Sequence, residues 1–182
     1  PFPATHSLQD KLKVNAIVKE AASSVTDYRF NYYEMKMLSQ SEVVSLAERH
    51  LVSPEFASSR DGRALLLTED EAVSIMLNEE DHIRLQVMYA GFALDEAYRT
   101  ADRIDTSLNT KLDFAFDDRL GYLSQDPASL GTGMKASVVL HLPGLVTTSQ
   151  ITRLITTVSK LGLSLRGSYG EGAAAKGDLF RL

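Results

Sequence analysis

Residues 64–89, ALLLTEDEAVSIMLNEEDHIRLQVMY, decide the fold because they contain three consecutive strand patterns. Residues 64–67 and 72–77 are short apolar runs typical of buried strands, and a polar connection of hairpin length joins them. Over 83–89 apolar and polar residues alternate, which predicts a third strand with one polar face. The stretch therefore predicts strands that follow one another through short turns.

The sequence on both sides supplies helices that could cover such a sheet. Apolar residues recur at helical spacing over 8–22, 92–108 and 149–161, the last ending at Gly162. A shorter helix is predicted over 41–49, with Ser39 or Ser41 as its N-cap. Further strands are predicted over 114–122 (as a pair), 136–142, 163–166 and 179–182. Because the strands come in hairpin-like pairs, the sequence favours an α+β fold with a mostly antiparallel sheet flanked by helices.

The composition fits one domain with a sizeable core, since 44% of the 182 residues are hydrophobic. No stretch approaches the roughly 20 apolar residues that cross a bilayer. The chain contains no cysteine, which excludes disulfides, thiolate metal sites and a cysteine nucleophile, and which fits a reducing cytoplasm. The formal net charge of −5, with acids and bases interspersed, argues against bulk binding to nucleic acid or to an anionic membrane.

The first candidate for chemistry is the sequence NEEDH, from Asn78 to His82, between two predicted strands. Carboxylates presented from a rigid sheet edge could bind a cation, act as a general base or hold a cationic substrate. An ordinary solvated turn is the alternative that the composition leaves open. The acids Glu96, Asp102 and Asp105 are expected on the solvent face of their helix.

Two glycine-rich segments are the next candidates. Gly131 and Gly133 flank a threonine before a predicted strand, so that backbone N–H groups could approach an anion, although a plain tight turn fits equally well. Residues 166–172, RGSYGEG, carry one cation and one anion, Arg166 and Glu171. Such a loop could close over a ligand, with the arginine on a phosphate, or serve only as a hairpin connection.

Two other groups are expected to be structural. The aromatic cluster within 28–33 is expected to pack in the core or an interface rather than to stack on nucleic-acid bases. His6, His50 and His141 lack partners at metal-ligand spacing, and no metal ligand is assigned in the chain.

Taken in order, the motifs resemble those of the phosphagen (guanidino) kinase family. Residues 78–84, NEEDHIR, match that family's NEEDH signature. Residues 126–138, DPASLGTGMKASV, are similar to its CPTNLGTGLRASV segment, and 166–172 to its RGxxGEG loop. The resemblance covers essentially the whole chain, and the stretch 64–82 looks most like the bacterial, McsB-type protein arginine kinases.

The resemblance implies the glutamine-synthetase-like fold of guanidino-kinase catalytic domains, in which ATP lies across an antiparallel sheet. By matched position, Glu80 would hold and deprotonate the target guanidinium, with Glu79 beside it and Glu171 as a second carboxylate that grips it. Arg84 and Arg166 would neutralise the ATP phosphates. These roles agree with the chemistry, because a protonated guanidinium is a poor nucleophile and a transferring phosphoryl group needs arginines and Mg²⁺ around its oxygens.

The sequence departs from the family pattern at two of the matched site positions. Asp126 stands where the family has a cysteine near the guanidinium, and it would supply negative charge there. Lys135 replaces a phosphate-binding arginine, which keeps the charge but loses the bidentate fork. Gly131 and Gly133 of the ATP-binding segment are present. The family's SxRxR segment and its C-terminal end lie outside residues 1–182, so the chain is expected to be a partial catalytic domain.

The resemblance implies an ATP-dependent protein arginine kinase that uses Mg²⁺ and phosphorylates exposed arginines of protein substrates in bacterial stress response and quality control. The expected location is the cytoplasm. The implied partners are the activator McsA, the repressor CtsR and the protease component ClpC, and a homodimer fits the resemblance. No direct nucleic-acid or membrane partner is expected.

Two other functions stay open. A catalytically degenerate guanidino-kinase domain would bind arginine or a partner without turnover, which Asp126 and Lys135 favour. The intact site residues oppose it, namely Glu79, Glu80, Arg84, Arg166 and Glu171. A small-molecule arginine or creatine kinase is less favoured, because the closest similarity is to the McsB-type proteins.

Overall fold

The computed structural model describes residues 1–168 and 175–182, in two units, Pro1–Met134 and Lys135–Leu182. The helices of the first unit are α1 (Leu8–Ser23), α2 (Gln40–Glu48), α3 (Pro54–Ser58) and α4 (Leu94–Asn109). Its strands are β1 (Phe30–Glu34), β2 (Ala64–Thr68), β3 (Val73–Leu77), β4 (Ile83–Val87), β5 (Phe116–Asp117) and β6 (Gly121–Tyr122). None of the helices in the described ranges is long and apolar enough to span a membrane.

The main sheet of the first unit has the strand order β1-β2-β3-β4 in the described residues, and each neighbouring pair is antiparallel. This confirms the fold class predicted from residues 64–89. The two central strands, β2 and β3, are buried over their whole length. They read as continuous apolar runs because helices cover both faces of the sheet.

Alternate side chains of the central strands enter two different cores. Leu66, Ile75 and Leu77 pack on one face with α1 and α4. Leu65 and Met76 pack on the other face with α2 and α3. Since residues opposite each other across an antiparallel pair share a face, the register of Arg84 opposite Met76 places Arg84 on the face that carries α2 and α3.

Strand β1 is the main element that the sequence reading missed. Its sequence, FNYYE, alternates Phe30 and Tyr32 with Asn31 and Tyr33, and aromatic residues are enriched in strands. Phe30 and Tyr32 pack against the core under α1 and α4, and Tyr33 packs against the other core. The expectation that these aromatic side chains serve packing is confirmed.

The structure decides between the two proposed N-caps of α2. The Ser39 hydroxyl accepts a hydrogen bond from the Glu42 N–H at 3.3 Å, and Glu42 Oε2 accepts one from the Ser39 N–H at 2.7 Å. This is a capping box, which pairs two backbone N–H groups at the helix start. Helix α2 therefore begins at Gln40, one residue before the predicted start.

The second unit contains β7 (Val139–His141), α5 (Pro143–Thr147), α6 (Ile151–Ser159), β8 (Arg166–Gly167) and β9 (Leu179–Arg181). Its strands pair antiparallel in the order β7-β9-β8. Strand β7 is shorter than predicted, and Pro143 begins a short helix rather than only ending the strand, as proline at a first helical position often does. Beyond α6, the Gly162 N–H donates to Ser159 and the Leu163 N–H to Val158, a Schellman arrangement at the predicted glycine.

A buried amide network fastens α1 to the main sheet. The two N–H groups of the Asn78 side chain share three acceptors, the Lys11 carbonyl (3.0 Å from Nδ2), Asn15 Oδ1 (2.9 Å) and the Gly62 carbonyl (3.0 Å). The Asn15 side chain donates to the same Gly62 carbonyl at 3.2 Å. Helix α1, the turn before β2 and the turn after β3 therefore meet at one polar cluster inside the protein.

We expect Gly62→Ala to destabilise the chain more than Gly91→Ala. Both glycines have a positive φ, 71° and 76°, but a Cβ at Gly62 would lie 2.9 Å from the Lys11 Cβ, whereas Gly91 has nothing within 4 Å. Gly91→Ala should cost about 1–2 kcal/mol of unfolding free energy from backbone strain alone. Gly62→Ala should cost about 2–4 kcal/mol, because overpacking against α1 adds to that strain.

Urea unfolding of the parent and the two variants at 25 °C measures this difference. Equal losses of unfolding free energy in the two variants would show that the contact with α1 contributes nothing at Gly62.

Candidate active site

The NEEDH sequence forms the turn between β3 and β4. The Asn78 N–H donates to the His82 carbonyl at 3.0 Å and closes the turn, while Asn78 has a positive φ of 60°. Asparagine tolerates this conformation better than most residues. The two glutamates that follow differ sharply in exposure: Glu79 is 9% exposed, whereas Glu80 is exposed.

Glu79 is the ion-pair partner of Arg84. The Arg84 Nη1 lies 2.8 Å from both Oε1 and Oε2 of Glu79, and the Ser53 hydroxyl donates to Oε1. Burial by itself would raise the pKa of Glu79, but the hydrogen bonds from Arg84 and Ser53 and the charge of Arg84 outweigh it and lower the pKa. Glu79 is therefore held as a carboxylate that orients the arginine.

Arg84 contacts Glu79 through one of its nitrogens, Nη1, and 42% of the Arg84 side chain is exposed. A guanidinium has five N–H donors in a planar fork. Arg84 can therefore keep its pair with Glu79 and still present N–H groups to an anion. This geometry suits an arginine that is fixed on one side and binds a phosphate on the other.

Arg63 binds the backbone of the NEEDH turn, a contact that the sequence analysis did not predict. Its Nε donates to the Asn78 carbonyl at 3.1 Å, and its Nη1 donates to three carbonyls at and after α3, those of Glu55, Phe56 and Ser59. Burial lowers the pKa of Arg63, against the opposing effect of the Glu79 charge. One cation thus joins α3 to the residue that precedes Glu79.

Asp81 connects the turn with the segment that contains Asp126. Its Oδ1 accepts a hydrogen bond from the Gln125 N–H at 2.8 Å, and its Oδ2 accepts one from the Ser124 hydroxyl at 2.7 Å. Asp126 in turn caps the 3₁₀ turn Pro127–Ser129, because its Oδ1 accepts from the Ala128 N–H at 3.0 Å. The structure therefore brings together two sequence motifs that lie more than 40 residues apart.

The backbone donors of Gly131 and Gly133 are engaged within the protein. The Gly131 N–H donates to the Tyr122 carbonyl at 3.3 Å, and the Tyr122 N–H donates back at 2.9 Å. The Gly133 N–H donates to the Ser129 carbonyl at 3.0 Å. In this structure Gly131 and Gly133 thus belong to a turn that is held by backbone hydrogen bonds. Their role in binding ATP stays a prediction.

His82 orients the turn. The Nδ2 of Asn78 faces three acceptors, so its Oδ1 is the atom that faces the His82 Nδ1, 3.1 Å away. The His82 Nε2 lies 3.0 Å from the Pro1 carbonyl, and its ring lies 4.7 Å from the ring of His6. Both ring nitrogens of His82 are therefore occupied by contacts within the turn and its surroundings.

The remaining predicted site residues belong to the second unit. Lys135 and Arg166 are exposed there, and the Arg166 Nε donates to the Ser164 hydroxyl at 2.9 Å. Glu171 lies outside the described residues.

The acids of α4, Glu96, Asp102 and Asp105, are exposed as expected. Within 1–168 and 175–182, no three histidines or carboxylates form a cluster that could hold a metal ion.

Comparison with known proteins gives one family. The pattern of the ATP:guanido phosphotransferase C-terminal catalytic domain matches residues 13–182. Over the whole of this chain, the protein-arginine kinase of Caldanaerobacter subterraneus subsp. tengcongensis is 39% identical and that of Halothermothrix orenii is 42% identical. The matches cover 55% and 52% of those proteins. The chain thus spans about half the length of the curated relatives it matches.

Solved structures show the same fold. The substrate-free duplicated taurocyamine kinase from Schistosoma mansoni superimposes with a TM-score of 0.81 at 24% identity, over 99% of this chain and 27% of that one. Lombricine kinase superimposes with a TM-score of 0.77 at 23% identity, over 99% of this chain and 53% of that one. The expected guanidino-kinase architecture is thereby confirmed.

We expect Glu79→Gln to lower the stability of the chain at neutral pH and to abolish one part of its pH dependence. Because folding lowers the pKa of Glu79, its contribution is fully present above the ordinary glutamate pKa of about 4.3. The contribution is lost as the pH falls through the lower folded value. The parent should therefore lose its advantage over the variant as the pH falls from about 5 towards 3.

Urea unfolding of both proteins at intervals between pH 7 and pH 3 provides the measurement. Glu20→Gln, on the exposed side of α1, controls for the loss of one surface carboxylate. A stability difference between parent and Glu79→Gln that stays constant over this range would contradict the ion pair with Arg84.

Proposed function

The chain belongs to the ATP:guanido phosphotransferase family, and from that membership we propose that it forms the catalytic core of an ATP-dependent protein arginine kinase. The substrate class is supported by the relatives named protein-arginine kinase, which match the entire chain at 39% and 42% identity. The structural observation that carries the proposal is that the two glutamates of the NEEDH turn lie in different environments. A buried glutamate fixes Arg84 there, while its neighbour Glu80 is exposed.

In the proposed reaction Glu80 binds the guanidinium of a substrate arginine and accepts its proton. A guanidinium nitrogen attacks the γ-phosphorus of ATP, the P–N bond forms, and the bond from phosphorus to the bridging oxygen breaks. The electron pair of that bond leaves on ADP, and the displaced proton passes to the Glu80 carboxylate. Such a base is needed because a protonated guanidinium has no available lone pair.

Arg84 is proposed to neutralise phosphate oxygens while Glu79 and Ser53 keep it in place. Mg²⁺ bound with ATP would offset part of the negative charge that develops on the phosphate oxygens during transfer. By family pattern, Lys135 and Arg166 add cations for the phosphates. Glu171 adds a second carboxylate for the guanidinium.

The cellular setting is also part of the proposal. The McsB-type resemblance implies a cytoplasmic kinase of the bacterial stress response that works with McsA, acts on CtsR and marks proteins for ClpC. Its protein substrates would expose arginine side chains on their surface, and the kinase could act as a homodimer. These partners follow from the resemblance alone.

We expect the protein to form acid-labile phosphoarginine on an arginine-rich protein such as casein in the presence of Mg²⁺ and ATP. Glu80→Gln should reduce the rate by at least about 100-fold, because the amide cannot accept the guanidinium proton. Glu69→Gln removes an exposed carboxylate from the β2–β3 turn, at the opposite end of β3 from the NEEDH turn, and should retain the parent rate. Mass spectrometry at neutral pH measures the product.

The assay compares the parent chain with the two variants. Absence of phosphoarginine from the parent, with retained binding of arginine or of an arginine-rich protein, would refute the kinase and favour a binding domain without turnover. Full activity in Glu80→Gln would refute the assignment of the base.

A further inference from the structure

We propose that Asp81 is a positioning residue that ties the segment 124–133, which contains Asp126, to the turn that carries Glu80. The inference deepens the proposed function and rests on it in one respect, namely that both parts belong to one phosphotransfer site. The tether consists of hydrogen bonds within the first unit.

Both carboxylate oxygens of Asp81 accept hydrogen bonds from the distant segment. Oδ2 lies 2.7 Å from the Ser124 hydroxyl and Oδ1 lies 2.8 Å from the Gln125 N–H. Hydrogen bonds to an ionised acceptor are stronger than neutral ones. The pair also fixes orientation, because one donor belongs to a side chain and the other to the backbone of the next residue.

The connection continues from Ser124 to Asp126. The Ser124 hydroxyl, which donates to Asp81, accepts a hydrogen bond from the Asp126 N–H at 3.2 Å. Asp126 then caps the turn by accepting from the Ala128 N–H, and Ser129 accepts from the Gly133 N–H. A single hydroxyl thus lies between Asp81 and the residue that occupies the family's cysteine position.

No residue of the segment 124–133 packs in a core cluster, although Phe114, earlier in the chain, packs against the core under α1 and α4. None of the residues from 113 to 134, all of which the structure describes, is buried. Hydrogen bonds therefore hold much of the segment in place. The backbone bridge between Tyr122 and Gly131 holds the end of the segment near Gly131. A segment of this kind is expected to open locally when its few tethers are removed.

The three consecutive acids consequently have three different environments. Glu79 pairs with Arg84, Glu80 is exposed, and Asp81 accepts from the segment 124–125. A carboxylate whose two oxygens both face protein donors is suited to positioning. Asp81 is therefore assigned an effect on the reaction that passes through Asp126 and not through direct contact with substrate.

Substitutions at Asp81 separate its hydrogen bonds from its charge. In Asp81→Asn the amide oxygen can still accept from the Gln125 N–H, and the amide NH₂ can donate to the Ser124 oxygen. Asp81→Ala loses both contacts. We expect kcat for phosphoarginine formation to fall roughly 10- to 100-fold in Asp81→Ala, with the KM for ATP nearly unchanged, and to recover in large part in Asp81→Asn.

Amide hydrogen exchange, followed by NMR without ATP, tests the tether independently of activity. The Gln125 and Asp126 amides should exchange at least about tenfold faster in Asp81→Ala than in the parent, while amides of β2 and β3 keep their rates. Ser124→Ala should release Asp126 but leave Gln125 protected, because the bond from Gln125 to Asp81 remains. Asp27→Ala, which removes an exposed acid elsewhere in the unit, should change neither amide.

Each outcome decides one point. Unchanged exchange at Gln125 and Asp126 in Asp81→Ala would overturn the tether. Faster exchange with an unchanged kcat would overturn the positioning role, and equal losses of kcat in Asp81→Ala and Asp81→Asn would show that the charge itself acts. If the parent forms no phosphoarginine, the proposed function fails, and the exchange rates still decide whether Asp81 holds the segment.

Discussion

The buried side-chain amide of Asn78 is the interaction on which the rest of the site depends. Asn78 is 1% exposed, and a buried amide is costly unless its donors and its acceptor are paired. Its nitrogen faces acceptors on α1 and at Gly62, and its oxygen faces His82. An apolar residue here would leave several buried groups unpaired. The helix, the turn before β2 and the NEEDH turn therefore have one common arrangement.

In that arrangement the three adjacent carboxylates, Glu79, Glu80 and Asp81, have different environments. Three acids in a row repel one another if all face the same medium. Here the charge of Glu79 is compensated by Arg84 and that of Asp81 by two hydrogen-bond donors. Because folding lowers the pKa of Glu79, it stays ionised at neutral pH and keeps Arg84 oriented. Glu80, between these two compensated acids, is exposed, which suits the role proposed for it at a cationic substrate.

The parts that local pattern controls could be predicted from the sequence. The apolar runs of β2 and β3 predicted these strands correctly, because burial on both faces of a sheet requires apolar residues at nearly every position. The helical spacing of apolar residues predicted α1 and α4. The contacts of Arg63 and Asp81 could not be predicted from the sequence, because their partners are distant along the chain and come close only after folding. An arginine before a strand and an aspartate in a turn both look solvated until the tertiary structure supplies donors and carbonyls.

Asp126 is the N-cap of the 3₁₀ turn Pro127–Ser129. The N–H groups of a helical turn favour an anion at its N-cap, and aspartate is among the best caps, with proline common at the next position. Asp126 accepts from the Ala128 N–H, and Pro127 follows it. Either an aspartate carboxylate or a cysteine thiolate at this position would offer an anionic acceptor to that N–H group. The replacement therefore keeps an acceptor at this point of the turn and changes the reach of the side chain.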